Sequence, residues 1–185
     1  LESINNAIAL DPENKSYLLL RSEFNLSSDN SYEALNDLEH IYELDKKDTS
    51  ILRSIIDLKI YLKDFDSAKE NIKELLEIEN DNSENYYKSA LLEIRTGNNR
   101  DAMTLLDKAI NLKPDYKEAI LRKGIIEFWE SNYEEAVKQF DEYLKLDPED
   151  SSVRVYKAHC LLNSNKINEA AEELSNIDEK YRSKE

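Results

Sequence analysis

An all-α solenoid built from repeated two-helix units is the fold this sequence predicts, and three observations predict it. Ala34, Ala68, Ala102, Ala136 and Ala170 stand 34 residues apart without slippage, and a fixed period in this range marks a stack of copied helix-turn-helix units. Only 2 glycines and 3 prolines occur in 185 residues, which leaves little turn chemistry for sheets or long loops. Apolar residues recur at i, i+3 and i+4, while no long stretch alternates with the period of two that a half-buried strand requires.

Taken in order, the chain opens with Leu1, Ile4 and Ile8 on one helical stripe and turns at Asp11-Pro12, because proline cannot continue a helix interior. The next helix is expected from about residue 15 to 28, with Tyr17, Leu18, Leu20, Phe24 and Leu26 as its apolar positions and Ser28-Asp29-Asn30 as its end. Second helices then open in a recurring way. Asn30, Asp64, Asn98 and Asn132 share one position, and Glu33, Ser67, Asp101 and Glu135 follow three residues later. That spacing predicts a capping box, in which the short side chain accepts from a free N–H of the first turn and the residue three on reaches back. Lys166 and Glu169 make a weaker version in the fifth unit.

In this register the chain is one array: a partial unit at 1–14 consisting of a second helix only, then whole units at 15–48, 49–82, 83–116, 117–150 and 151–184. Pro12, Pro114 and Pro148 fall at one repeat position, where the other two units carry Lys46 and Asn80. Residue 1 falls at the twenty-first position of a unit, so the chain is expected to be a fragment of a longer protein. Its last helix keeps Ile167, Leu174 and Ile177 for a neighbour to cover, which predicts end-to-end self-association of the fragment.

The formal net charge of −15 argues against binding nucleic acid or an anionic membrane surface, since both require phosphates to be neutralised by a basic surface. Cys160 is alone, so no internal disulfide forms and stability must come from packing. No apolar run approaches the length needed to span a bilayer, and a cytoplasmic location is expected.

These residues resemble the tetratricopeptide repeat family, whose 34-residue hairpin favours small residues at positions eight and twenty, a bulky one at twenty-four and proline at thirty-two. Position eight reads Ser22, Ile56, Ala90, Gly124 and Ala158; position twenty is the alanine column; position twenty-four is Leu38, Ile72, Leu106, Phe140 and Leu174. Gly97 at position fifteen and Gly124 at position eight both fall where the family favours glycine. Position twenty-seven departs, being small only at Ala7 and Ala109, and Ile56 replaces a small residue, so the second unit is expected to be the least regular. The resemblance implies a right-handed superhelix and a non-catalytic scaffold for protein–protein interaction.

It also implies where a ligand lies. Positions two, five, six, nine and thirteen of first helices face the concave side of such a superhelix. There the chain carries Arg53, Lys88, Arg95 and Arg122 together with Tyr61, Tyr87, Leu91, Ile125, Trp129 and Tyr156, on an otherwise acidic background. Trp, Tyr and Arg most often carry binding energy, and Arg pairs well with a carboxylate. These ten residues are the expected peptide-binding set, for a protein or peptide ligand. A blander alternative stays open: Asp57, Glu84 and Glu118 neutralise the cations, and Trp129 packs between units. The carboxylate clamp of chaperone-binding relatives fits poorly, with Asp57 where asparagine is expected and Glu118 where lysine is. The asparagine ladder of the glycosyltransferase relatives is missing too.

No catalytic constellation, cofactor or metal site is expected. His40 and His159 fall in different units, Cys160 directly follows His159 and so points elsewhere on a helix, and no Gly-rich phosphate loop or metal-spaced cluster is present. Two other roles compete with the scaffold: a structural spacer or self-associating array, and the targeting arm of an enzyme encoded elsewhere in the parent chain.

Overall fold

The computed structural model describes the backbone of residues 1–182 and the side chains of residues 1–177; the last expected unit, 151–184, therefore runs beyond the described residues. Among the described residues all regular structure is helical. The helices are α1 (Glu2–Leu10), α2 (Lys15–Ser27), α3 (Ser31–Leu44), α4 (Thr49–Tyr61), α5 (Phe65–Ile78), α6 (Ser83–Arg95), α7 (Asn99–Leu112), α8 (Lys117–Trp129), α9 (Tyr133–Leu146), α10 (Ser151–Asn163) and α11 (Ile167–Arg182). First helices start at Lys15, Thr49, Ser83, Lys117 and Ser151, and second helices at Ser31, Phe65, Asn99, Tyr133 and Ile167, so both series keep the 34-residue period of the alanines. The chain forms two compact units, Leu1–Asp81 with α1 to α5 and Asn82–Glu185 with α6 to α11.

Every turn inside a hairpin is built the same way. Asp29, Lys63, Gly97, Ser131 and Asn165 take φ between 60° and 82°. The next N–H in each case reaches back to a carbonyl of the first helix: Asn30 to Asn25 at 2.8 Å, Asp64 to Lys59 at 2.9 Å, Asn98 to Glu93 at 2.8 Å, Asn132 to Glu127 at 2.9 Å and Lys166 to Leu161 at 2.9 Å. This is the Schellman closure, which satisfies carbonyls that a helix end otherwise leaves free. Gly97 adopts the left-handed backbone at no steric cost, and the other four positions hold it against their Cβ atoms.

The expected capping boxes are corrected in detail. Asn30, Asp64, Asn98 and Asn132 are the N-cap residues of the second helices, yet only Asp64 accepts a backbone N–H, from Ser67 at 3.3 Å. The Asn98 and Asn132 amides donate instead to Glu93 and Glu127, at 2.8 Å each, five residues back across the turn. The side-chain caps sit at the entry to first helices, where Asn14, Asp48, Asn82 and Asp150 accept from N–H groups of α2, α4, α6 and α10. The Asp48 carboxyl is held below its usual range, chiefly by the Ser50 hydroxyl.

Packing explains the small-residue columns. Ala34, Ala68, Ala102 and Ala136 are 0% exposed and Ala170 is 1% exposed, so each sits where two helices of a hairpin approach closely. At position eight an added Cβ on Gly124 would come 2.6 Å from Phe140 Cε1, which leaves room only for hydrogen. The largest position-twenty-four side chain is thus matched by the smallest position-eight residue. Ile56 does not disturb its hairpin: it is buried, and α4 and α5 keep the 13- and 14-residue lengths of α2 and α3.

Cations at the hairpin seams add a polar component that composition alone does not reveal. Arg21 binds Asp37 of its own hairpin at 2.6 Å and Asn5 of α1 at 3.0 Å. Lys59 joins Glu39 of the preceding hairpin to Asn71 of its own, both at 2.8 Å. Lys157 likewise joins Asp141 at 2.6 Å to Glu173, and Lys123 pairs with Asp107. Glu173 also accepts from Arg154 at 2.8 Å. The pairs that use the largely buried carboxylates of Asp37 and Glu173 help fix which helix lies beside which, since removing the cation would leave a poorly solvated charge.

Candidate functional site: the open face of α6, α8 and α10

The sequence places Glu84, Lys88, Leu91 and Arg95 on α6, Glu118, Arg122, Ile125 and Trp129 on α8, and Ser152, Tyr156, His159 and Asn163 on α10 at equivalent positions. Steps of four, three and four residues keep each set on one helical stripe. The opposite sides of these helices are committed to the core: Ile120, Gly124 and Ile126 on α8 are buried, as are Val153, Cys160 and Leu161 on α10. What remains outward is the stripe. Glu84, Lys88, Arg95, Glu118, Arg122, Trp129, His159 and Asn163 are exposed, while Leu91, Ile125 and Tyr156 are half-buried.

The charges on this face are differently engaged. Lys88 pairs with Glu84 one turn away at 3.1 Å, an exposed helix-surface pair that contributes little to stability. Arg122 and Glu118 form no hydrogen bond or ion pair among the described residues, although they stand one turn apart on α8. Tyr87 is held by Tyr116, with ring centroids 5.0 Å apart, and burial followed by the charge of Glu84 pushes the Tyr116 phenol up to about 12.

An aromatic group occupies the end of the stripe. Phe128 is its hub, with centroids 5.2 Å from Trp129, 6.3 Å from Tyr133, 5.3 Å from Tyr156 and 5.1 Å from His159, all edge-on. Tyr156 also stacks on the fully buried Phe140 at 6.0 Å, which ties the face to the core. Edge-to-face pairs of this kind contribute about 0.5–1.5 kcal/mol each beyond area burial. Asn163 donates to the His159 carbonyl at 2.9 Å and fixes the last turn of α10. Trp129 is 72% exposed, so it projects from the cluster and does not pack between helices. Sequence reasoning put His159 on the stripe but not in the expected binding set, and passed over Phe128; the signal was Phe128 and Trp129 adjacent in α8, with Tyr156 and His159 one hairpin later.

In the other unit, Arg53 donates to Glu79 and to the Thr49 hydroxyl at 3.3 Å, and so is engaged within its own hairpin. Tyr61 is 66% exposed on α4, beside the exposed Ser50, Ser54 and Asp57 of the same stripe. Chemistry beyond contact has little to work with. Burial pushes the Cys160 thiol up to about 11, so it is not a thiolate at neutral pH. Among the described residues no group of His, Cys, Asp and Glu has a metal-holding arrangement, and no helix is long and apolar enough to cross a membrane.

Hairpins recurring every 34 residues, each closed by the same turn type and each with a buried alanine where its two helices meet, define a helical repeat protein. The tetratricopeptide repeat family model matches residues 59–123 and 130–185, and the chain belongs to that family. Over 110 residues it is 34% identical to "Protein SGT1 homolog" of Bos taurus, a match that takes in 60% of this chain and 32% of that protein. The chain thus spans about a third of the curated relative it matches. Among solved structures it is similar to MamA, with a TM-score of 0.78 at 14% identity and 94% of each chain covered. It is also similar to YrrB, described as a tetratricopeptide repeat protein with an unusual peptide-binding site, with a TM-score of 0.70 at 18% identity over 94% of this chain and 90% of that one. These structural likenesses establish the fold.

Proposed function

We propose that residues 82–185 hold a segment of a partner protein against the face of α6, α8 and α10, as a binding scaffold without turnover. The observation that carries this reading is Trp129: an indole 72% exposed, backed by a cluster of rings and two helical turns from the unpaired Arg122. A folded chain ordinarily covers its large aromatics, and a Trp left open on a rigid, ring-supported base is the kind of residue that anchors a partner. Half-buried Leu91, Ile125 and Tyr156 extend the apolar contact on either side, and Arg95 and Arg122 supply charge at its margins. In the register of the family this face is the concave groove, and Tyr87 and Lys88 lie along it. Arg53 and Tyr61 lie on α4 of the other unit, where Arg53 is engaged within its own hairpin.

Reversing both charges, Arg95→Glu with Arg122→Glu, is expected to abolish retention of the partner in a pull-down from native lysate. The change in unfolding free energy should stay within about 1 kcal/mol, because solvent screens such side chains. Equal retention by the altered and unaltered proteins would reject the face as the binding surface.

A further inference from the structure

The geometry points to a specific ligand pattern: we infer that the segment bound along α8 carries an aliphatic or aromatic side chain and a single carboxylate about three residues apart in an extended strand. The inference rests on the binding face proposed above and adds the chemistry of what binds there. Trp129 and Arg122 are seven residues apart on one stripe of α8, which is two turns or roughly 10 Å of helix rise. An extended chain covers that distance in about three residues at ~3.3 Å each.

The two ends of this span differ in kind. At the Trp129 end the neighbours are rings: Phe128 with Tyr133, Tyr156 and His159 around it, and half-buried Ile125 one turn back. The nearest carboxylates in sequence, Glu127 and Glu130, accept from Asn132 at 2.8 Å and Asn99 at 3.1 Å. No lysine or arginine ring contact is made with Trp129 among the described residues, so an apolar side chain meets an open ring face. At the other end the Arg122 guanidinium has five donors in a planar fork and no partner among the described residues, and a carboxylate matches that fork in both charge and shape.

The number of carboxylates follows from the charge balance. The stripe of α6, α8 and α10 carries Lys88, Arg95 and Arg122 against Glu84 and Glu118, a formal excess of one positive charge, whereas the whole chain carries −15. One carboxylate placed at Arg122 gains locally. An acidic run would extend into the negative field of the rest of the molecule. Glu118, one turn from Arg122, is the internal competitor for the guanidinium, and its removal should help the ligand.

The test uses the single tryptophan, whose indole N–H gives one NMR cross-peak that belongs to Trp129 alone. The probes are blocked nonapeptides of serine and asparagine carrying one leucine and one glutamate three residues apart, in both orders. Matched peptides have the two residues adjacent, or have glutamine or lysine in place of glutamate. At least one of the three-residue glutamate peptides is expected to move the cross-peak with a Kd roughly tenfold below those of its glutamine and lysine counterparts, the effect of one charge-assisted contact. R122E should erase that preference while leaving the leucine-dependent shift, and E118Q should strengthen glutamate binding about twofold. Equal affinity for glutamate, glutamine and lysine peptides would overturn the carboxylate assignment and leave the binding face standing. Tighter binding of the lysine peptide would overturn it in favour of a cation on the indole. An indole cross-peak unmoved by every peptide would overturn the face itself.

Discussion

Phe140→Ala is expected to destabilise residues 82–185 by about 3–5 kcal/mol, the range for emptying a large aromatic site in a packed core. Phe140 is 0% exposed and shares its cluster with Ile120, Ala136, Tyr143, Leu144, Val153 and Cys160. Those residues come from α8, α9 and α10, so the cavity would weaken both the α8–α9 hairpin and the seam to α10. The loss should reach the open face as well. Tyr156 stacks on Phe140 at 6.0 Å and supports Phe128 at 5.3 Å, and without that backing the rings beneath Trp129 lose their fixed arrangement. Urea unfolding followed by circular dichroism measures the first effect. Because Trp129 lies in the affected hairpin, its fluorescence transition should move to lower urea together with the helical signal, whereas a repeat array lets distant hairpins unfold separately. A change below about 1 kcal/mol would mean that Phe140 is not a core anchor.

Gly124→Ala is expected to destabilise by about 1–2 kcal/mol, against the ordinary gain of about 1 kcal/mol when alanine replaces a mid-helix glycine. The sign follows from distance: the new Cβ would lie 2.6 Å and 2.9 Å from two ring atoms of Phe140 and 3.2 Å from Gln139 Cβ. A ring that is wholly buried has nowhere to retreat. In the Phe140→Leu background, the same substitution should become neutral or stabilising, because other hairpins combine alanine at position eight with leucine at position twenty-four, as in Ala90 with Leu106. Calorimetric or urea stabilities of the four proteins give the coupling directly. Additive effects would show that the two sites do not touch in solution.

The helical plan was legible because it is written in small residues and turns, whose consequences are local. The five alanines lie at equal spacing, and the helix starts observed at Lys15 through Ser151 follow the same period. The capping pattern was misread because Asn and Asp have two uses near a helix start. At Asn98 and Asn132 a glutamate across the turn captures the amide, a partner that lies five residues back and on another helix. The seam cations were illegible for a related reason: Lys59 sits one turn beyond the position used by Arg21, Lys123 and Lys157, so no column of identical residues marks them. For the binding face, periodicity chose the stripe, but only the folded arrangement separates its members. It leaves Trp129 open, engages Lys88, Arg53 and Tyr87 with neighbours, and brings Phe128 and His159 into the group.

The central claim is that a partner segment lies on the face of α6, α8 and α10, and proximity tests it most directly. A photoactivated benzophenone amino acid would replace Trp129 in one protein and Lys138, exposed on α9 outside the stripe, in another. Each would be irradiated in native lysate, alone and with Arg95→Glu and Arg122→Glu added. The account predicts a discrete adduct from position 129, absent from position 138 and lost on charge reversal. Adducts of the same mass from both positions, or from position 138 alone, would contradict it.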